Sequence, residues 1–324
     1  MKKMNDIYKI CNIFRKYNSF ALFTHVNADG DAIGSLLGLG NSLKLAGKKV
    51  LFNVPEPVPL KFNFLKGYEL INKNLGSLDQ MEVGVLLDAA GTSRIEDLEK
   101  NLELFRITIN IDHHVSNGHF AIYNFVDAAA PSTTVLIFEI LERCKFPIDE
   151  DISNSLFVGL LTDTGSFHYA NTGKLAFDTA SKLVDYGAKP SFVANMIFER
   201  ETPGHLKTLG TSLLRLTVEN GIAYSFITLK DLEKFDAIEE DTERIIDVLR
   251  RVKDSKIVLL FKETKKGEVR VSLRGKNGMN VRKIAEHFGG GGHAGAAGCT
   301  LESSIEDGIK QLLKYIKEHI NNES

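Results

Sequence analysis

The sequence predicts an α/β protein in two parts: an N-terminal, mostly parallel sheet with helices on both faces, and a smaller C-terminal α+β domain. Three observations lead to this prediction. The chain has 324 residues, which is enough for about two domains. From Phe20 onward, short apolar runs alternate with longer helical stretches, as in parallel α/β sheets. After residue 211 this alternation gives way to neighbouring strand-like runs and short helices.

The N-terminal domain is predicted to span residues 1–187. Its apolar runs of strand length are Phe20–Phe23, Val50–Val54, Val83–Leu87 and Ile107–Ile111. Its helix-like stretches are Ala32–Ala46, Ser93–Leu104, Pro131–Arg143, Asp151–Thr162 and Leu175–Tyr186. Gly187 and the following Pro190 are helix stop signals, so we expect the domain to end there.

A linker is predicted over residues 188–211, because this segment contains Pro190 and the sequence Thr202-Pro203-Gly204. Residues 212–324 then form the second domain. Its predicted elements are a strand at Ala223–Thr228, a helix at Asp241–Arg251, strands at Lys256–Glu263 and Val269–Leu273, and a helix at Val281–Phe288.

The composition, 43% hydrophobic and 25% charged, is that of a globular protein and excludes disordered and collagen-like classes. Apolar stretches such as Ile257–Phe261 are too short for a membrane span, and Met1–Asp6 leads into no signal-peptide core. We therefore expect a soluble, cytoplasmic protein. The cysteines Cys11, Cys144 and Cys299 are scattered without a CxxC pair, so we expect buried thiols rather than disulfides or a thiolate zinc site.

The net charge of −2 argues against a surface built to bind long nucleic acid. The charge is unevenly distributed. Residues 230–243 contain seven acidic residues and two lysines, whereas residues 244–283 contain thirteen lysines and arginines and four acidic residues. The second segment suits a short anionic ligand, although charge runs are more often simply solvated surface.

Acidic and imidazole side chains follow apolar segments that a parallel sheet would bring to one edge. These residues are His25, Asp29, Asp31, Asp88, Asp112, His113, His114 and Asp163. Ligands of open parallel sheets bind at the carboxyl ends of the strands, so the sequence predicts a site there. Taken singly, each residue is explained as well by a helix cap, a strand-end turn or a surface histidine. These structural roles do not explain why all of the residues fall at the ends of strands and helices.

The carboxylates of this set need positive charge beside them. Two carboxylates about 4 Å apart repel by roughly 4 kcal/mol at an effective dielectric of 20. Divalent cations are the obvious remedy, and mixed Asp and His ligands without cysteine favour manganese, with magnesium, iron or cobalt as substitutes. A pair of such metals bridged by one carboxylate would activate water for attack on a phosphoryl group. The pattern therefore predicts phosphoester hydrolysis.

The series His25-x3-Asp29-x-Asp31, then Asp88, Asp112-His113-His114 and Asp163, resembles the four motifs of the DHH phosphoesterase superfamily. The resemblance covers essentially the whole chain, and its two-domain layout is similar to the nanoRNase/pAp phosphatase (NrnA-like) group. It implies two Mn²⁺ per active site. One metal would be held by His25, Asp29 and Asp88. The other would be held by Asp31, Asp88, His113 and Asp163. It also implies that His114 contacts the scissile phosphate and that Asp112 orients its neighbours, which makes Asp88, Asp112, His113 and His114 the catalytic candidates.

The glycine run Gly289-Gly290-Gly291-Gly292, followed by His293, resembles the signature of the DHH-associated substrate domain. Gly290-x-Gly292-x-x-Gly295 formally matches a dinucleotide fingerprint, but it follows a predicted helix rather than a strand, so that interpretation fails. Exposed backbone amides at Gly290, Gly291 and Gly292 suit a phosphate or ribose, and His293 adds a hydrogen-bond donor, so these residues are substrate-binding candidates. A flexible turn is the alternative.

Four further side chains are substrate-binding candidates. Arg274 ends a predicted strand in the basic segment and offers a bidentate fork to a second phosphate, and the resembling family also has a substrate-binding arginine there. Arg94, and Ser132 with Thr133, are weaker candidates, because a helix-start arginine and an N-cap serine explain them nearly as well.

These features predict a cytoplasmic, Mn²⁺-dependent phosphodiesterase that acts on short oligoribonucleotides, linear dinucleotides such as pApA, and 3′-phosphoadenosine 5′-phosphate (pAp). Mg²⁺ or Co²⁺ would substitute for Mn²⁺, and the partners are nucleotides rather than membranes. Three alternatives stay open: an inorganic pyrophosphatase or polyphosphatase, a RecJ-type single-strand exonuclease, and a non-catalytic nucleotide sensor. A homodimer is compatible with the sequence, which does not fix the oligomeric state.

Overall fold

The structure of the protein, a computed structural model, describes residues 2–55, 58–73, 75–92, 95, 102–264 and 267–319. The chain divides into two compact units, residues 1–200 and 201–324. Among the described residues, no helix has the length and apolarity that a bilayer span requires.

The first unit contains five strands and six helices within the described ranges. The strands are β1 (Ser19–Phe23), β2 (Lys49–Asn53), β3 (Val83–Leu87), β4 (Ile107–Asp112) and β5 (Tyr123–Val126). The helices are α1 (Lys2–Lys16), α2 (Gly30–Leu45), α3 (Thr133–Cys144), α4 (Glu150–Asp163), α5 (Lys174–Asp185) and α6 (Pro190–Phe198). Of the predicted helix Ser93–Leu104, residues 93, 94 and 96–101 lie outside the described residues.

The five strands form one parallel sheet in the order β2-β1-β3-β4-β5. This confirms the predicted α/β fold with a parallel N-terminal sheet. The four predicted strands occupy the first four positions in the chain, and β5 was not predicted because Tyr123–Val126 includes the polar Asn124. Alternate residues of β1 pack into two different apolar clusters, Phe20 and Leu22 in one and Ala21 and Phe23 in the other, so both faces of the sheet are buried.

Helices α2 and α4 pack closely through glycines. A Cβ atom at Gly34 would collide with the carbonyl oxygen of Ser155, and one at Gly38 would come within 2.6 Å of Leu156 Cδ2. Helix–helix contact this close needs residues without side chains at the crossing. It brings the start of α2 and the end of α4, with their acidic residues, to the same edge of the sheet.

The expectation for two cysteines is wrong. Cys11 in α1 and Cys144 at the end of α3 form a disulfide, with their Cα atoms 5.2 Å apart. They are 133 residues apart in the sequence, so no local sequence pattern predicts that they pair. The packing of α1 against α3 brings the two sulfurs together. Cys299 is a free, buried thiol, as expected.

The second unit is a six-stranded mixed sheet with helices. Its strands are β6 (Thr217–Glu219), β7 (Ile222–Ile227), β8 (Ile257–Glu263), β9 (Val269–Gly275), β10 (Gly291–His293) and β11 (Ala296–Leu301), in the order β10-β11-β9-β8-β7-β6. Its helices are α7 (Pro203–Leu214), α8 (Leu229–Phe235), α9 (Ile245–Leu249), α10 (Arg282–His287) and α11 (Ile305–His319). This confirms the predicted C-terminal α+β domain.

Two segments differ from the expectation. The predicted helix Asp241–Arg251 is a 3₁₀ turn at Glu239–Thr242 followed by the short α9, because Arg244 adopts a left-handed conformation with φ of 63° that interrupts a continuous helix. The predicted linker 188–211 contains α6 and most of α7, each with a proline in its first turn, and the boundary between the units falls within it.

Candidate active site

The first group of site residues follows β1 and opens α2. The side chain of Asp29 caps α2 by accepting hydrogen bonds from the backbone N–H groups of Asp31 and Ala32, at 3.0 and 3.1 Å. The helix cap is therefore Asp29, and Asp31 is free for another role. The side chain of Asp31 is 1% exposed and points into the protein rather than to solvent.

Asp88 directly follows β3 and has an unusual backbone. Its φ is 57°, in the left-handed region that non-glycine residues rarely adopt. A hydrogen bond from the Asp88 N–H to Ile111 O, at 3.0 Å, holds this turn against β4. Such conformations cost energy and concentrate at functional sites. The turn places the buried Asp88 carboxylate between the histidines that follow β1 and β4.

Four carboxylates and two imidazoles meet at this edge of the sheet. They form what we call the carboxylate cluster: His25, Asp29, Asp31, Asp88, His113 and Asp163. Ligand atoms of His25, Asp29 and Asp88 lie within 4.8 Å of one another, and so do those of Asp31, His113 and Asp163. A third such group joins Asp88, His113 and His114.

His113 lies at the centre of the carboxylate cluster. Its Nε2 atom is 3.8 Å from Asp31 Oδ2, 3.7 Å from Asp88 Oδ1 and 3.7 Å from Asp163 Oδ2. Likewise, His25 Nε2 is 3.4 Å from Asp88 Oδ2. The sequence residues predicted to bind metal are thus brought together, with Asp88 next to both histidines.

The other ring nitrogens fix how these histidines face the cluster. His25 Nδ1 lies 2.8 Å from Val26 O, and His113 Nδ1 lies 3.3 Å from Ala130 O. A carbonyl oxygen accepts only, so each Nδ1 carries the proton and each Nε2 presents a lone pair to the carboxylates when the ring is neutral. Lone pairs and carboxylates directed at one point form a donor set suited to divalent cations.

The pKa shifts of the carboxylates also indicate a site suited to cations. Burial raises the pKa of Asp31 well above its ordinary value, and the charges of Asp88 and Asp163 raise it further. Burial likewise raises the pKa of Asp163 to about 6. For Asp88, burial would raise the pKa, but the hydrogen bond and charge of His25, together with the charges of His113 and His114, lower it. The cluster therefore carries an excess of buried negative charge that bound cations would relieve.

The start of α3 holds two of these carboxylates in place. The backbone N–H groups of Thr133 and Thr134 donate to Asp31 Oδ2 and Oδ1, at 2.6 and 3.0 Å. The Thr133 hydroxyl donates to Asp88 Oδ1 at 2.9 Å. Sequence reasoning did not assign this role to the threonines. The available signal was their position at a helix start, where free N–H groups attract anions.

Asp112 and His114 form a second polar network beside the cluster. The fully buried Asp112 carboxylate accepts hydrogen bonds from His114 Nδ1 at 2.7 Å, from the His113 N–H at 2.8 Å and from Asn117 Nδ2 at 2.6 Å. These bonds outweigh burial and lower the pKa of Asp112. The bond to Asp112 orients the His114 ring, with Nε2 on the edge opposite Nδ1. Asn117 also donates to Asn110 Oδ1 at 2.7 Å. Neither asparagine was singled out from the sequence.

The weaker substrate candidates have different outcomes. Ser132 is fully buried, caps α3 by accepting from Val135 N–H at 3.4 Å, and shares a hydrogen bond with the Thr134 hydroxyl at 2.7 Å. The cap is thus the role that the geometry gives it. Arg94 lies outside the described residues.

In the second unit, Arg274 lies on β9 and its Nε is 3.2 Å from Asp247 Oδ1. Arg270, on the same strand, pairs with Glu239 at 2.8 Å. The two arginines and the intervening Ser272 alternate with buried apolar residues of β9, so they share one face, which we call the arginine face.

The glycine run, expected to be a loop, partly forms the edge strand β10. In the antiparallel register Gly291 pairs with Gly298, and His293 pairs with Ala296. Gly290 needs its small size, because an added Cβ would meet the backbone of Gly298, whereas a Cβ at Gly291 would meet open space. Gly291 pairs with Gly298 and Gly298 with Ser272, so the run is in register with the arginine face.

Comparison with known proteins agrees with this fold. The sequence matches the DHH family, N-terminal domain, over residues 19–162 and the DHHA1 domain over residues 219–322. It is 30% identical over 298 residues to the bifunctional oligoribonuclease and PAP phosphatase NrnA of Thermus thermophilus, covering 92% of this chain and 89% of that protein. The protein of the same name in Bacillus subtilis is 27% identical over 312 residues, covering 94% and 96%.

Two solved structures share the fold. One is an exopolyphosphatase-related protein from Bacteroides fragilis, with a TM-score of 0.84, 24% identity and 97% of each chain covered. The other is exonuclease RecJ bound to manganese, with a TM-score of 0.53, 14% identity and coverage of 97% and 94%. The chain belongs to the DHH family of metal-dependent phosphoester hydrolases.

Proposed function

We propose that this protein is a manganese-dependent phosphodiesterase and phosphatase that hydrolyses short oligoribonucleotides, linear dinucleotides such as pApA, and pAp. The observation that carries the proposal is the pair of ligand groups in the carboxylate cluster, one at His25, Asp29 and Asp88 and one at Asp31, His113 and Asp163. The curated relatives named as oligoribonucleases and PAP phosphatases support the choice of substrates.

The residues of the carboxylate cluster and their neighbours would have distinct roles. His25, Asp29 and Asp88 would hold one cation, and Asp31, Asp88, His113 and Asp163 would hold the other, so that Asp88 belongs to both sets. When bound, such cations supply a nucleophile from water at neutral pH and neutralise charge on the phosphoryl group. Thr133 and Thr134 keep Asp31 and Asp88 oriented. Asp112 orients His114, whose Nε2 edge would contact the phosphate.

The second unit would hold the part of the nucleotide away from the scissile bond. Arg274 forms a solvent-accessible ion pair with Asp247. Because such pairs contribute little to stability, a substrate phosphate could take the place of Asp247 as the partner of Arg274 at little cost in free energy. The edge strand at Gly291 has open space where a side chain would lie, so a phosphate or ribose could approach the backbone there, and His293 follows in the chain.

A substrate panel with Mn²⁺ tests this proposal. It contains oligoribonucleotides of graded length, pApA, pAp, inorganic pyrophosphate and a long single-stranded DNA. We expect turnover to be fastest on the shortest oligoribonucleotides and on pApA. Efficient cleavage of pyrophosphate alone, or processive degradation of the long strand, would contradict the proposal, and binding of nucleotides without turnover would indicate a sensor.

A further inference from the structure

The turn that follows Asp163 has a rare backbone conformation. Gly165, Ser166 and Phe167 are three consecutive residues with positive φ, at 56°, 59° and 63°. Glycine adopts this region freely, but serine and phenylalanine do so only when surrounding contacts enforce it. The sequence therefore maintains an unfavourable backbone next to a residue of the carboxylate cluster.

Several contacts enforce the turn. The Phe167 ring points inward and stacks on Phe177, with ring centroids 5.2 Å apart and planes 19° apart. The Thr164 hydroxyl accepts a hydrogen bond from the Phe167 N–H at 3.1 Å. Asn171 closes the turn, because its side-chain amide donates to Asp163 O at 3.1 Å and to Pro131 O at 3.0 Å. The turn is thus fixed at both ends.

The consequence of this geometry is the position of Tyr169. Its N–H donates to Thr164 O at 2.9 Å, and its ring folds back over Gly165, where an added Cβ would lie 2.5 Å from the Tyr169 Cζ. The residue is nevertheless 59% exposed. A large aromatic ring is therefore held, largely solvated, against Gly165, which is two residues from Asp163. The Asp163 carboxylate faces His113 at 3.7 Å.

We propose that Tyr169 is a substrate-positioning residue whose ring stacks on the nucleobase of the nucleotide at the scissile phosphate. Aromatic rings stack on all four bases, so the contact would favour nucleotides over other phosphoesters without selecting a sequence. A fixed ring also binds at a low entropic cost, which explains why the chain keeps the unfavourable turn. This inference rests on the proposed hydrolysis of short oligoribonucleotides.

The test compares Tyr169→Leu with Tyr169→Phe on pApA and on pApA analogues that lack one base, at fixed Mn²⁺. Tyr8→Leu, in α1, is the matched control, because Tyr8 is 54% exposed and far from the turn in sequence. We expect Tyr169→Leu to lower kcat/KM on pApA by about 5- to 150-fold, mainly through KM. It should have little effect on the analogue lacking the stacked base. Tyr169→Phe and Tyr8→Leu should retain activity on both.

Metal content is measured for each variant, because Tyr169 packs on Gly165 near Asp163. Loss of bound metal in Tyr169→Leu would assign the ring to the support of the turn and overturn the inference. So would equal losses on the intact and base-free substrates, or equal activity of the Leu and Phe variants. If the unmodified protein fails to cleave pApA, the proposed function falls and the inference falls with it. If the unmodified protein cleaves pApA but the effect of Tyr169→Leu does not depend on the base, the proposed function stands and only the inference about Tyr169 is overturned.

Discussion

The carboxylate cluster and the arginine face differ in how far their charged side chains are buried and in how those charges are balanced. In the cluster, Asp31 and Asp88 are at most 2% exposed, and their contacts are histidines, a threonine hydroxyl and backbone N–H groups. On the arginine face, Arg270 and Arg274 remain accessible to solvent, and each pairs with an acidic residue. The first region has a buried excess of one sign, and the second is balanced and exposed.

This difference distinguishes the region proposed to catalyse hydrolysis from the region proposed to bind the nucleotide. Buried carboxylates that repel one another are costly unless cations are bound, so the cluster is suited to binding divalent cations. Exposed ion pairs contribute little to stability and exchange partners readily, so the arginine face is suited to a transient anionic ligand. Changes in the cluster should therefore abolish catalysis on every substrate, whereas changes on the arginine face should depend on the substrate.

The largest effect is expected for Asp88→Asn. Asparagine has nearly the same shape and tolerates the left-handed backbone at φ of 57°, so the change removes mainly the charge that the two proposed metals would share. Loss of a charge interaction worth about 4 kcal/mol lowers the rate by about a thousandfold. The measurements are kcat on pApA and metal content. Asp236→Asn, at an exposed left-handed position with φ of 51°, is the control and should be silent. Two tightly bound metals in Asp88→Asn would refute the bridge.

The neighbouring histidines should separate metal binding from catalysis. His113 Nε2 faces three carboxylates, so His113→Ala should lose bound metal. His114 is oriented by Asp112, so His114→Ala should keep its metal and lose about a hundred- to a thousandfold in kcat. Metal analysis beside steady-state kinetics decides this. The opposite pattern would exchange the two roles.

The arginine face should show substrate-dependent losses. Arg274→Ala removes a charge-assisted contact worth about 1.5–3 kcal/mol, or roughly ten- to a hundredfold in kcat/KM on pApA and pAp. The loss should be small on a minimal chromogenic phosphodiester, which lacks the distant nucleotide. Arg282→Ala, which breaks an exposed pair with Glu286 in the same unit, serves as the control. Equal losses for Arg274→Ala on both substrates would mean that Arg274 supports the fold.

The smallest effect is expected where packing supports the cluster. In Gly159→Ala the added Cβ would collide with the Thr134 side chain and lie 2.7 Å from Asp31 Oδ1. Such overpacking lowers the free energy of unfolding by about 1–3 kcal/mol, and activity should fall with it. Gly210→Ala, in α7 with open space around its Cβ, should instead be neutral or stabilising by up to about 1 kcal/mol. Denaturant unfolding of the two variants compares them, and equal stabilities would contradict the close packing of α4 against the first turns of α3 and α2.

The sequence predicted the parallel sheet and the convergence of the carboxylates because both follow from local patterns. Strand ends are marked by apolar runs that stop at Asp88 and Asp112, and parallel sheets gather their carboxyl ends. The fold of the second unit followed from the same periodicity, although Arg244 broke one predicted helix. The identities of the metal ligands remain predictions, but their closeness is a property of the structure.

What the sequence did not reveal depends on long-range contacts. The Cys11–Cys144 disulfide joins residues 133 positions apart, and the hydrogen bonds of Thr133 to Asp31 and Asp88 depend on how α3 docks on the sheet. The edge strand at Gly291–His293 forms only because β11 lies beside it, since glycines have little intrinsic strand preference.

The most direct test of the account is a Mn²⁺ titration of the chelator-treated protein, following bound metal and pApA hydrolysis in the same samples. The two ligand groups joined at Asp88 predict two bound Mn²⁺ per chain, with no activity in their absence and full activity only when both are bound. Full turnover by the metal-free protein, or maximal turnover with one equivalent bound, would contradict it.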